Sequence, residues 1–71
     1  MSYVQKMFGK KLKELRERQG LTQEQLAERA GLSKNYVSDC ERGTRNISLE
    51  NIIALCRALK IKPGTLLDHL V

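Results

Sequence analysis

Aromatic residues, cysteines and long apolar runs are scarce in this sequence, and each shortage argues against one class of protein. Tyr3, Phe8 and Tyr36 are the only aromatic residues, so aliphatic side chains must form the core, which favours packed helices over a β-sandwich. The two cysteines, Cys40 and Cys56, form no CxxC motif, whereas small secreted scaffolds usually carry more cysteines at closer spacing. No segment approaches the roughly 20 apolar residues of a membrane span, and the N-terminus lacks the apolar run of a signal peptide. The sequence therefore predicts a cytoplasmic protein.

Residue sets typical of catalysis or metal binding are also missing. His69 is the only histidine, and there is no Ser-His-Asp set, no metal-ligand cluster and no phosphate-cradling loop. A chain of 71 residues barely encloses a pocket. We therefore expect no enzyme activity, no cofactor, no bound metal and no small-molecule ligand. Membrane binding is also disfavoured, because Glu14 and Glu17 lie among the lysines of the first predicted helix.

The sequence does have an excess of positive charge. Thirteen lysines and arginines against eight acidic residues give a net charge of +5. A basic surface attracts polyanions, which include nucleic acid, anionic lipid and acidic proteins. Charge alone does not choose among these partners.

Apolar residues recur at helical spacing along almost the whole chain, and period-two alternation is absent. Gly20, Gly31 and Gly43 are placed to end three helices, and Thr22 with Gln25 makes a capping-box sequence at the start of the second. The pattern predicts a single domain, 1–71, of five helices joined by short loops. Their predicted ranges are 4–19, 23–30 after the Thr22 cap, 34–42, 49–60 and a short helix that begins at Pro63.

Residues 22–42 have the organisation of a helix-turn-helix. Two short helices are separated by the tight turn Ala30-Gly31-Leu32-Ser33, and Ala27 supplies a small side chain where the helices cross. In such a motif the second helix can enter a DNA major groove about 12 Å wide.

Several separate landmarks, all in register, resemble the Xre family of regulators of the phage lambda repressor and Cro type. They are TQEQLA at 22–27, AGLS at 30–33, VS at 37–38, ERG at 41–43 and ISLE at 47–50. Within that family, NYVS at 35–38 and ERGTRNIS at 41–48 are similar to controller proteins of restriction–modification systems, although prophage and chromosomal regulators share such stretches. The resemblance implies a compact all-α, five-helix bundle of the lambda-repressor-like type, with helices 2 and 3 as the helix-turn-helix.

The resemblance also assigns roles to individual residues. Base-contacting positions on helix 3 are Lys34, Asn35, Ser38 and Asp39. Lysine suits guanine, asparagine suits adenine and aspartate suits the cytosine amino group, although Asp39 has the alternative of pairing with Arg42. Predicted phosphate contacts are Gln23, Tyr36, Arg42, Thr44, Arg45 and Asn46. Arg16 and Glu41 match a partly buried ion pair that locks the first helix to the third.

Aliphatic residues near the C-terminus are candidates for a two-fold interface within a dimerisation region at about 48–71. They are Ile61, Leu66, Leu67, Leu70 and Val71. The alternative is that they close the core of one protomer. A dimer would place two recognition helices about 34 Å apart on one face of the DNA, which suits a palindromic site.

The sequence thus predicts a nucleoid-associated transcription regulator of bacterial or phage type. It would bind double-stranded DNA at a palindromic operator as a homodimer, either repressing transcription or activating it with RNA polymerase as a further partner. The alternative is an antitoxin-like interaction module of the same fold, which binds a partner protein and regulates its own gene.

Overall fold

Five α-helices and a terminal 3-10 turn make up most of residues 2–71, the part of the chain that the computed structural model describes. They are α1 (Tyr3–Arg18), α2 (Gln23–Ala30), α3 (Lys34–Arg42), α4 (Leu49–Leu59) and α5 (Pro63–Leu67), followed by the turn Asp68–Leu70. Among these residues there is no strand, so the predicted all-α, five-helix fold is confirmed. Predicted helix ends differ from the observed ones by about one residue.

Side-chain caps fix where the helices begin. Thr22 Oγ1 accepts from the Gln25 amide at 3.0 Å, and the Gln25 side chain accepts from the Thr22 amide at 2.9 Å, as the capping-box sequence predicts. A second capping box at α1 was not predicted: Ser2 Oγ accepts from the Gln5 amide, and Gln5 Oε1 accepts from the Ser2 amide, both at 3.1 Å. This box starts α1 one residue earlier than its apolar pattern suggests.

Left-handed residues end the middle helices. Gly31 (φ 71°) and Gly43 (φ 75°) close α2 and α3, as predicted. The α2–α3 turn is completed by the Leu32 amide, which donates to the Ala27 carbonyl at 2.9 Å. At the end of α4 the same conformation is taken by Lys60 (φ 57°), where an L side chain is strained.

An aliphatic core lies between the helices. Its largest fully buried side chains are Leu12, Leu26, Leu55, Leu59, Leu66, Val37 and Cys40. The short α5 packs against α1 and α4, and Leu66 is 0% exposed at that contact. Leu66 therefore closes the core of one protomer, which is the alternative that the sequence left open for these aliphatic residues.

The backbones of α1 and α3 approach each other very closely. A Cβ atom at Gly9 would lie 2.3 Å from the Cys40 carbonyl oxygen and 2.5 Å from that of Glu41. A Cβ atom at Gly43 would lie 2.8 Å from Lys6 Cα. At these two close approaches α3 and the loop after it pack against the N-terminal half of α1.

Within residues 2–71, none of the helices combines the length and the apolar character needed to cross a membrane.

Candidate DNA interface

The outward face of α3 carries polar side chains at the spacing of one helical stripe. Asn35, Ser38, Asp39 and Arg42 follow one another at i, i+3, i+4 and i+7, and Lys34 precedes them at the first helical position. Lys34, Asn35 and Arg42 are exposed, while Ser38 and Asp39 are half-buried. The opposite face is held in the core by Val37 and Cys40. All four residues predicted to contact bases therefore lie on the accessible side of one short helix.

A buried hydrogen-bond network fixes this helix to the two before it. Glu41 accepts from Arg16 Nε at 2.6 Å, from Arg16 Nη2 at 3.1 Å and from Gln23 Nε2 at 3.0 Å. The side chains of Arg16 and Glu41 are 9% and 3% exposed. Arg16 Nη1 also donates to the Leu21 carbonyl at 2.6 Å. The hydrogen bond to Glu41 raises the pKa of Arg16, so this guanidinium stays charged at every accessible pH.

Gln23 is the residue through which α2 joins the network. It is the first residue of α2, and its bond to Glu41 leaves it half-buried at the edge of α3. An amide nitrogen has two donors and this contact uses one of them. The structure thus places Gln23 where it braces α3.

Asp39 and two arginines form a cluster at the C-terminal end of α3. Asp39 Oδ1 accepts from Arg42 Nη2, and Asp39 Oδ2 accepts from Arg45 Nη2 at 3.2 Å. The Thr44 hydroxyl donates to the backbone carbonyl of Asp39 at 3.1 Å. The hydrogen bond from Arg45, assisted by Arg42, lowers the pKa of the Asp39 carboxyl. Pairing with Arg42, which the sequence left open as an alternative to base contact, is present, and Arg45 joins it.

Tyr36 links this cluster to α4. The Arg45 guanidinium carbon lies 4.6 Å from the centre of the Tyr36 ring, a cation–π distance. The Tyr36 hydroxyl accepts from Asn51 Nδ2 at 2.9 Å. Asn51 was not among the predicted site residues, because a contact across 15 positions leaves no local sequence signal.

Asn46 makes a comparable link to α1. Its side-chain oxygen accepts from Gln5 Nε2, which ties the α3–α4 loop to the first turn of α1. Arg45, Asn46 and Thr44 are all exposed. The predicted phosphate contacts after α3 therefore lie together on one accessible loop, beside the stripe on α3.

Comparisons with known proteins agree with this arrangement. A helix-turn-helix family model matches residues 12–66, which is more than half of the chain. The chain belongs to the Xre-type helix-turn-helix family.

Relatives of this Xre-type protein include controller proteins. It is 42% identical over 66 residues to the control protein C.BamHI of Bacillus amyloliquefaciens, covering 92% of this chain and 82% of the relative. The crystal structure of the restriction–modification controller protein C.AhdI from Aeromonas hydrophila matches with a TM-score of 0.85 and 51% identity, covering 86% of this chain and 92% of that one. The antitoxin PezA of Streptococcus pneumoniae is 38% identical over 55 residues, which are 78% of this chain and 35% of PezA. The predicted family and the lambda-repressor-like fold are thereby confirmed.

The Xre-type protein also has an apolar groove beside the α3–α4 loop. It has a volume of about 270 Å³, and Gln5, Arg45 and Asn46 add polar atoms to its lining. Its apolar lining residues are Val4, Phe8, Ile47, Ile52, Leu67 and Leu70. Two residues predicted for a dimer interface, Leu67 and Leu70, thus lie at one surface groove. Of the others, Val71 is fully exposed and Ile61 is half-buried against the core.

The two cysteines and the histidine of the Xre-type protein do not belong to the exposed stripe of α3. Burial raises the pKa of the Cys40 thiol to about 11 and also raises that of Cys56. His69 Nε2 lies 3.2 Å from the Met7 carbonyl oxygen. Over residues 2–71, no three His, Cys, Asp or Glu residues come together as a metal site would require.

Proposed function

We propose that this protein is a sequence-specific DNA-binding transcription regulator, with α3 in the major groove, rather than an enzyme. One observation carries the proposal: the polar stripe of α3 is accessible, while its reverse side is fixed by the buried Arg16–Glu41–Gln23 network. A helix that reads bases must be both exposed and rigidly placed, since each good base contact depends on hydrogen-bond geometry.

Base readout falls to Lys34, Asn35 and Ser38, with Asp39 available to a cytosine amino group. Phosphate contacts come from the two ends of the surface. Gln23 lies at one end, and α3 together with the loop after it supplies Tyr36, Arg42, Thr44, Arg45 and Asn46. Such contacts set the register of α3 on the duplex without reading sequence.

The partner that completes the site is a second copy of the chain. The groove lined by Leu67 and Leu70 adjoins Arg45 and Asn46, and α4 begins with Leu49, which is 72% exposed. Covering these apolar surfaces and Val71 in a two-fold dimer would present two α3 helices to one palindromic operator. The similarity to controller proteins supports a role in controlling restriction–modification genes, by blocking RNA polymerase or by recruiting it.

Selection of bound sequences from random duplex DNA tests this function. Purified protein at near-physiological salt should enrich a palindrome whose half-sites are about one helical turn apart. Asn35→Ala should relax the preference at one position of each half-site by about 1–3 kcal/mol, whereas Arg45→Ala should weaken operator binding without changing the selected sequence and reduce the salt slope of operator binding by about 1. Lys10→Ala is the matched control for Arg45→Ala, because it removes one positive charge from α1 near His69, away from the stripe.

A second candidate function is an interaction module that binds a partner protein. The similarity to the antitoxin PezA favours it. Weak binding with no enriched sequence, unchanged by Asn35→Ala, would move this alternative to first place.

A further inference from the structure

The Asp39 carboxylate forms ion pairs with two of the arginines that the proposed function assigns to DNA phosphates. Its two oxygens accept from Arg42 and from Arg45, one oxygen to each guanidinium. Guanidinium groups bind carboxylate and phosphate oxygens through the same N–H donors. The Asp39 carboxylate therefore stands in the free protein where phosphate oxygens would stand in a complex.

The surrounding contacts fix the backbone at Asp39 and the side chain of Arg45. The Thr44 amide and the Thr44 hydroxyl both donate to the Asp39 carbonyl, each at 3.1 Å. Arg45 lies over the Tyr36 ring, and the Tyr36 hydroxyl is held by Asn51 from α4. The Asp39 backbone and the Arg45 side chain are thus positioned by contacts other than the ion pairs themselves.

We propose that Asp39 determines DNA specificity by holding Arg42 and Arg45 away from non-cognate phosphates and releasing them only where its carboxylate gains a cytosine amino group. Exposed ion pairs are weak, so the arginines can exchange to phosphates when the carboxylate finds another donor. Without that donor, the carboxylate left behind is repelled by the DNA backbone. The inference rests on the proposed function and makes Asp39 the residue of that surface that determines its DNA specificity.

The lowered pKa of the Asp39 carboxyl agrees with this role, since it keeps the group ionised throughout the neutral range. The charged groups that face it are the guanidinium groups of Arg42 and Arg45.

The experiment is salt-dependent binding of Asp39→Asn to random-sequence duplex and to the selected operator. Asparagine has nearly the same shape and keeps the backbone carbonyl that Thr44 uses, so the fold should survive. Because log K falls by about 0.9 per neutralised phosphate for each decade of salt, each released arginine should tighten non-specific binding roughly tenfold at 0.1 M salt and steepen the slope by about 1. Operator binding should tighten less, so the ratio of operator to random affinity should fall at least tenfold.

Two further variants separate the cause. Asp39→Ala should behave like Asp39→Asn, since it removes the carboxylate without adding an amide that could contact adenine. Adding Arg45→Ala to Asp39→Asn should reverse part of the gain.

Glu14→Gln is the matched control. Glu14 also pairs with two cations, Lys11 at 3.5 Å and Arg18 at 2.9 Å, but on α1. Glu14→Gln should leave the slope of log K against log salt concentration within about 0.3 of the wild-type value.

The outcomes distinguish this inference from the proposed function. If the wild type selects an operator but Asp39→Asn binds random duplex no tighter than Glu14→Gln does, Asp39 does not restrain the arginines and only the inference is overturned. If the wild type binds no duplex at all, both are overturned.

Discussion

Replacing Glu41 by alanine should remove most of the stability of this protein. Glu41 is the common acceptor for Arg16 and Gln23, so its loss unties α3 from both α1 and α2. The Arg16 side chain is only 9% exposed and would keep just the Leu21 carbonyl and a distant contact to Glu17 at 3.9 Å. A buried charge without its counterion is the costly state.

The magnitude follows from that burial. Breaking a buried pair by removing one partner costs about 3–5 kcal/mol. A chain of this length has a total free energy of unfolding of about 4–10 kcal/mol, so Glu41→Ala should be marginally folded at 25 °C. The pair itself contributes less than this, because desolvation opposes much of its attraction. Removing both charges, with Arg16→Met and Glu41→Leu, should therefore recover at least half of the loss.

Urea unfolding followed by circular dichroism at 222 nm measures both effects. Protein concentration must be the same for all variants, because association stabilises the folded state by mass action. A double-mutant cycle built from Arg16→Met, Glu41→Leu and the double variant should give a coupling energy of about 2–3 kcal/mol between Arg16 and Glu41. Glu14→Ala, which breaks two exposed pairs on α1, should cost less than about 1 kcal/mol. A loss below 1 kcal/mol for Glu41→Ala, or a double variant as unstable as the sum of the single ones, would refute the reasoning.

Three further predictions concern the fold around this network. Gly9→Ala should lower the free energy of unfolding by about 2–3 kcal/mol despite the helix preference of alanine, because its Cβ would clash with two carbonyl oxygens of α3. Gly31→Ala, where the Cβ would point into open space at φ 71°, should lower it by only about 1 kcal/mol in the same urea assay. Lys60→Gly should raise the free energy of unfolding by about 0.5–1 kcal/mol, seen as a higher Tm, because it relieves the left-handed lysine; an unchanged or lower Tm would contradict this. The pKa of Cys40 is about 11 in the folded state against 9.0 for a free thiol, so stability is intact below pH 9 and should fall by about 2–3 kcal/mol towards pH 11. Cys40→Ala should show a shallower alkaline decline, and an equally steep one would assign the effect to other groups.

Local signals account for the parts of this fold that the sequence predicted well. Such signals act within a few residues, so a single sequence is enough to predict them. They are the Thr22 capping box, the glycines after α2 and α3, and the apolar stripes. The Ser2 capping box has the same local form but was not predicted, because the apolar pattern of α1 indicates a start one residue later.

Contacts between residues far apart in the sequence could not be predicted in the same way. Nothing near Gly9 shows that two carbonyl groups 31 and 32 positions later approach it, and nothing near Asn51 indicates the Tyr36 hydroxyl. Leu66 has the same apolar character as Leu67, but only packing of α5 on α1 and α4 decides which one is buried. The Arg16–Glu41 pair came from family resemblance, since charged residues at this distance carry no local pairing signal.

Two independent sets of contacts act on α3, and they should separate experimentally. Gly9 and Glu41 act on its inward side, where they set the position of the whole helix. Asp39 acts on its outward side, where its carboxylate bonds to two exposed arginines. Variants of the first set should lose stability and affinity for every duplex together, because a displaced helix misplaces all its base contacts. Variants at Asp39 should keep their stability and change only the salt slope and the ratio of operator to random binding. Two results would contradict this separation of effects between the two sides of α3. One is a variant at Asp39 that unfolds, and the other is a variant at Gly9 that loses stability yet keeps full operator affinity.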